Sequence, residues 1–209
     1  MIDVTDVSVR SSGIELLPAT SLQAGAGQAV AIRGRNGSGK STLLRVLNGS
    51  YVPTTGTVAV AGRDPRVRDA RSRRRTASMI GLPPMALDLT VRDHVELVAT
   101  TWYDSADEIH DKVEVVLGLL DLTSLEARFP HELSSGQTQL FGLSLVLARP
   151  FDVLLLDEPE QRLDPERLDL VVAALRDARD AGATVVVATH SEALSNQLAD
   201  SVVWLGAPG

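Results

Sequence analysis

The chain has 209 residues, enough for one substantial domain with a full hydrophobic core, and its 44% hydrophobic and 22% charged residues are a globular balance, not a disordered or fibrous one. A net charge of −7 speaks against gripping nucleic acid as the main task, because phosphate backbones select a basic surface. The absence of cysteine excludes disulfides, thiolate metal sites and cysteine nucleophiles. Residues 1–10 carry no basic segment leading into an apolar one, so no secretory leader is expected. No run of about eighteen apolar residues occurs, so no membrane span is expected either.

In chain order, Ile2, Val4, Val7 and Val9 predict a half-buried strand whose alternation slips once, between Val4 and Val7. Ala29 to Ile32 is a short apolar strand running into a glycine-rich loop, and a helix follows from Ser41 to about Asn48. Val58–Val60 and Ser78–Ile80 read as further short strands. From about Pro83 to Ala148 clear strand patterns are missing, and helical spacing recurs at Val91–Thr100, Glu108–Leu120 and Ser135–Ala148, which predicts a helical region inserted into the core. Val153–Leu156 and Thr184–Ala188 are apolar runs suited to strands buried on both faces. Between them, Leu168, Val171, Val172 and Leu175 keep helical spacing over Arg167–Ala181. Strand, helix, strand is the βαβ unit of a parallel sheet, so the fold class is α/β. No linker, repeat or second domain is visible, and residues 1–209 read as one domain.

The strongest local pattern is Gly34-Arg35-Asn36-Gly37-Ser38-Gly39-Lys40-Ser41-Thr42, a P-loop set between a strand and a helix. Its glycines let backbone N–H groups turn inward with no Cβ in the way of phosphate. The helix that follows adds its positive end, Lys40 reaches the β- and γ-phosphates, and the Ser41 hydroxyl suits Mg²⁺. A second pattern, Val153 to Pro159, is an apolar strand ending in Asp157-Glu158. After a P-loop, Asp157 suits the metal and Glu158 suits a general base that polarises the attacking water.

The order of these motifs resembles the ABC ATPase family, and the likeness extends over nearly the whole chain. Leu133-Ser134-Ser135-Gly136-Gln137 is similar to the family's Leu-Ser-Gly-Gly-Gln signature, with Ser135 at the first glycine. Without that context the same residues are a good helix cap. The resemblance implies that Ser134, Ser135, Gly136 and Gln137 bind the γ-phosphate of ATP held by another subunit. It implies that Asp164 ends a D-loop, here preceded by Gln161-Arg162 in place of small residues, and that His190 contacts the γ-phosphate from the end of a strand. It implies a P-loop core with a mainly parallel sheet, an antiparallel N-terminal portion and an inserted helical subdomain over about 83–148. The implied cofactors are ATP and Mg²⁺. The implied partners are a second ATPase subunit, identical or different, and integral membrane subunits that hold the protein at the cytoplasmic face of the cell membrane; nucleic acid is not expected.

Two family features are missing. No Gln occurs between Gln28 and Gln137, so Gly81 or a neighbour stands where relatives place a metal-sensing glutamine. No aromatic lies near Arg10–Gly13, where many relatives stack one on adenine. The seven arginines of 63–75 could meet anionic lipid headgroups, an acidic partner loop or nucleic acid, but read better as a solvated connection between strands, and Trp102 and Tyr103 receive no role. Alternatives stay open: a regulatory subunit that hydrolyses little, or a non-transport ATPase, whose long coiled coils or doubled ATPase units find no counterpart here. Import against export is also open, although the chain's end soon after Trp204 leads us to expect a short exporter-like subunit without a C-terminal regulatory domain.

Overall fold

The computed structural model describes residues 1–67 and 69–206. Strand β1 (Ile2–Ser11) forms a hairpin with β2 (Ile14–Ala24), and β3 (Ala29–Gly34) leads through the glycine loop into α1 (Lys40–Leu47). Then come β4 (Thr55–Val60), α2 (Ala70–Arg75), β5 (Thr76–Met79), α3 (Val91–Thr100), α4 (Ala106–Leu119), α5 (Ser135–Leu147) and β6 (Val153–Asp157). The chain finishes with α6 (Pro165–Asp180), β7 (Thr184–Ala188), α7 (Glu192–Leu198) and β8 (Ser201–Leu205).

The strands make two sheets, an antiparallel one in the order β2-β1-β4 and a parallel one in the order β5-β6-β7-β3-β8. The slip in β1 is a bulge: pairing with both neighbours is interrupted after Val4 or Thr5, and Asp6 takes φ 48. One extra residue returns Val7 and Val9 to the buried face that Val4 occupies. The helical segment 83–148 contains α3, α4 and α5 and no strand among the described residues, as expected from its spacing.

Strands β6 and β7 are buried on both faces, and their residues alternate between two cores. Leu154, Leu156, Val185 and Val187 pack with α3 to α7, whereas Val153, Leu155, Val186 and Ala188 pack with α1 and the antiparallel sheet. The parallel sheet is thus the middle layer, and its position is set by burial on each side. Phe141 of α5 is fully buried and meets the His94 ring edge-on at 5.2 Å between centroids. Phe141→Ala is expected to cost about 3–5 kcal/mol of unfolding free energy, read as a lower urea midpoint at unchanged slope.

The arginine-rich stretch connects β4 and β5, as expected, and holds one short helix, α2, within it. Asp69 caps α2, its side chain accepting from the Ser72 amide at 2.7 Å, and no α2 residue is buried. Arg63 pairs with Asp69, Arg66 with Asp64 and Arg75 with Asp152, while Arg68 lies outside the described residues. Among the described residues, no helix is long and apolar enough to cross a membrane.

Candidate nucleotide site

Strands β6, β7 and β3 are neighbours and run parallel, so the loops after them emerge side by side at one edge of the sheet. These loops carry Asp157 and Glu158, Thr189 and His190, and the P-loop. Backbone bonds tie them: the Glu158 amide donates to Ala188 O at 2.8 Å, and the Thr189 amide to Ile32 O at 3.1 Å.

The P-loop turns with Gly37 at φ 80 and Gly39 at φ 101. A Cβ on Gly39 would stand 2.7 Å from Leu16 O, so the loop lies flat against β2 only because this residue is glycine. Gly39 also precedes α1 without any side-chain cap, which leaves the first-turn N–H groups directed at the loop's hollow. Ser38 Oγ is buried without a hydrogen-bond partner. An orphaned hydroxyl and uncapped amides in a cradle of glycines are the donor set that phosphate oxygens satisfy. A cavity of about 440 Å³ opens there, lined by Asn36, Gly37, Gly39, Lys40, Ser41, Thr42 and Glu158, with Ile14, Glu15 and Leu16 across from them.

Lys40 is buried, and its ammonium donates to Gly34 O at 3.0 Å and Arg35 O at 3.3 Å, with His190 Nε2 at 2.9 Å. Burial pushes its pKa below the ordinary lysine value, while the carboxylates of Glu158, Asp157 and Glu160 act the other way. Glu158 Oε1 lies 3.4 Å from His190 Nε2, and Gln161 Nε2 donates to Glu158 Oε2 at 3.3 Å. Glu158 itself sits at φ 48, a left-handed conformation that a non-glycine residue keeps only when its surroundings hold it there. Among the described residues no group of three or more acidic or imidazole side chains could cage a metal. One hydroxyl at Ser41 and one carboxylate at Asp157 are donors of the kind that suit Mg²⁺ arriving with phosphates, since that ion is held by one or two carboxylates plus substrate oxygens.

The structure brings Gly34, Asn36, Gly37, Ser38, Gly39, Lys40, Ser41, Thr42, Asp157, Glu158 and His190 together. Ser134, Ser135, Gly136, Gln137 and Asp164 do not line this cavity. They form a second cluster. Ser134 caps α5, its Oγ accepting from the Gln137 amide at 3.3 Å, and Gln137 Oε1 accepts from the Ser134 amide at 2.8 Å, so the Gln137 side-chain oxygen is held by the cap. A Cβ on Gly136 would stand 3.0 Å from Arg162 O, which packs the start of α5 against the turn before Asp164. Asp164 caps α6 and pairs with Arg167 at 2.6 Å. Ser134 and Ser135 are exposed, open to a neighbouring molecule.

Sequence reasoning missed three contributors. Gln139, buried in α5, donates to Glu158 O at 3.1 Å and Pro159 O at 3.2 Å and joins the two clusters. Glu160 accepts from the loop that carries His190. Ile14, 64% exposed, puts an aliphatic side chain beside the P-loop on the flank where no aromatic stands. Gly81, at φ 82, supplies no side chain where a glutamine was sought; Leu82 beside it covers Gly142 of α5.

The ABC transporter family profile matches residues 17–161. The methionine import ATP-binding protein MetN of Cupriavidus metallidurans is 36% identical over 99% of this chain and 63% of its own length. The chain thus spans less than two thirds of the MetN proteins it matches. The octopine permease ATP-binding protein P of Rhizobium radiobacter is 30% identical over 98% of this chain and 84% of its own length. Among solved structures, an ATP-binding subunit of an ABC transporter superposes with a TM-score of 0.86 at 26% identity, covering 98% of this chain and 85% of that one. A dimeric ATP-binding cassette in a post-hydrolysis state with ADP and Pi gives 0.85 at 24% identity over 98% and 94%, a likeness of fold.

Proposed function

Because the chain belongs to the ABC transporter family of ATPases, we propose that it binds and hydrolyses ATP in a head-to-tail dimer and so drives a solute through partner membrane-spanning subunits. The observation that carries this reading is His190 Nε2 standing 2.9 Å from the Lys40 ammonium and 3.4 Å from Glu158 at the ends of three adjacent strands, beside an uncapped glycine loop. Phosphoryl transfer needs little covalent chemistry from protein, and positioning with charge stabilisation carries most of it.

When ATP enters, Lys40 turns from the carbonyls of Gly34 and Arg35 to the β- and γ-phosphate oxygens. Ser38 Oγ, the loop amides and the start of α1 donate to the same oxygens. Ser41 and Asp157 would hold Mg²⁺, which neutralises charge on the β- and γ-phosphates when bound. Glu158 takes a proton from the attacking water as its oxygen bonds to the γ-phosphorus and the bond to the bridging oxygen breaks, leaving ADP. His190 supports the charge of the departing phosphate. Ser134, Ser135, Gly136 and Gln137 of a second subunit cover the nucleotide, with Asp164 at the seam. The exposure of Ser134, Ser135 and Asp164, and the absence of all five residues from the lining of this chain's own cavity, support action in trans. Loss of the γ-phosphate then lets the halves part.

We read residues 1–209 as one ATPase domain, with about 83–148 as the helical part that meets the membrane subunits and keeps the protein at the cytoplasmic face of the cell membrane. The names of the relatives support import as the direction, against the exporter-like shortness expected from the sequence. A regulatory subunit that binds ATP and hydrolyses little is the second reading, favoured by Gly81 and by the aliphatic Ile14. Phosphate release by the purified full chain decides between them. Turnover with Mg-ATP that stops on chelation of the metal is the expected result; tight ATP binding with no release in either condition would establish the regulatory reading instead.

A further inference from the structure

We infer that Glu160 is a positioning residue whose carboxylate latches the turn carrying His190 onto the loop after β6, and so fixes where His190 meets Lys40 and Glu158. The catalytic consequence rests on the ATPase reading above; the latch itself does not.

Three donors from one turn converge on one oxygen. Thr189 Oγ1 donates to Glu160 Oε1, the His190 amide reaches it at 3.3 Å and the Ser191 amide at 3.4 Å. Ser191 N–H is shared with Thr189 Oγ1 at 2.9 Å, so hydroxyl, carboxylate and amides form one closed network. The contacts join residues 29 to 31 positions apart. The backbone has left the sheet by this point: Thr189 N–H still bonds Ile32 O, whereas the next two amides turn to Glu160. Ser191 then caps α7, accepting from the Leu194 amide at 3.1 Å, so the latch also sets the start of that helix.

The arrangement is costly without a purpose. Glu160 Oε2 is buried with no hydrogen-bond partner, and an ionised carboxylate with one unsatisfied oxygen opposes folding. A small or aliphatic side chain at this position would avoid that cost. What the carboxylate contributes is a charge-assisted hold on a turn that bears an exposed, half-free imidazole, and a third negative group in the surroundings of Lys40. A shift of about 1 Å in a catalytic group is enough to lower a rate by about a hundredfold, so fixing this turn has direct value for His190.

The test uses the full chain with isotope-labelled histidine, His190 being assigned by its loss in His190→Ala. Glu160→Gln keeps an acceptor oxygen in place but loses the charge, and is expected to speed exchange of the His190 and Ser191 amides by about two- to fivefold, less than the alanine variant does. Glu160→Ala is expected to speed exchange of those two amides by about tenfold or more and to shift the His190 signals, with His94, His110 and His131 unmoved as the check on folding. Its kcat for ATP is expected to fall about 10- to 100-fold with little change in ATP affinity. Should the alanine variant fail to fold, Glu160→Asp, one methylene short, is expected to give the same pattern in weaker form. Unchanged amide exchange and unchanged His190 signals in Glu160→Ala or Glu160→Asp would overturn the latch. A parent chain without turnover would remove the ATPase reading alone, because the amide exchange still decides the latch.

Discussion

Glu158→Gln is expected to lower ATP turnover by about two to four orders of magnitude while ATP still binds. The carboxylate sits where a base belongs, 3.4 Å from His190 Nε2 and within reach of the cavity that it lines with the P-loop. Gln preserves the shape, its carbonyl oxygen can still accept from Gln161, and its amide NH2 then faces His190, so the loop at φ 48 keeps its main tie. What disappears is the capacity to accept a proton. Steady-state phosphate release against ATP concentration checks this, with kcat falling and affinity kept. A variant that turns over within about threefold of the parent would remove Glu158 from the role of base and pass it to another group.

Lys40→Met is expected to weaken ATP binding by about 10- to 100-fold, the size of one or two lost charge-assisted hydrogen bonds. Methionine keeps most of the buried stem volume and removes the ammonium that now lies on Gly34 O, Arg35 O and His190 Nε2. The effect on stability without nucleotide is expected to be small, since burial already depresses the lysine pKa and the charge is held at a desolvation cost. Titration calorimetry with ATP, alongside thermal unfolding of the free protein, separates the two effects. Equal affinities for parent and variant would contradict a phosphate role for Lys40.

Legibility in the sequence followed the range of the interactions. Strand β7 was readable to the residue, because burial on both faces leaves an unbroken apolar run between Ala183 and Thr189. Helix α3 was equally plain: Thr90 and Asp93 make a reciprocal cap, and Val91, Val95 and Ala99 keep helical spacing. Strand β2 escaped, because its buried alternation at Thr20, Leu22 and Ala24 begins on a polar residue and slips against Leu17 across Pro18. Edge strand β8 escaped too, since Val202 and Trp204 are exposed and only Leu205 is buried. Helix α2 has no apolar face at all, and its cap at Asp69 was its one local sign.

The site divides along the same line. The P-loop is a contiguous device, so nine successive residues state its chemistry in full. Asp157 and Glu158 were legible because a buried strand ends on them. By contrast, the hold of Glu160 on Thr189, His190 and Ser191 joins residues about thirty positions apart and depends on β6 and β7 being neighbours. Gln139 reaches Glu158 O and Pro159 O from another helix, and no local spacing announces such a contact. The double use of Gln137 as a cap partner is visible only in three dimensions.

Two copies of the chain are expected to close on ATP, each covering the other's nucleotide with Ser134 to Gln137. The most direct measurement is the light-scattering molar mass of Glu158→Gln with and without Mg-ATP. A nucleotide-dependent rise from 22.3 kDa to about twice that value is the predicted result, and it should vanish when Lys40→Met is added. A mass that stays at one chain under saturating Mg-ATP would contradict closure between copies of this chain.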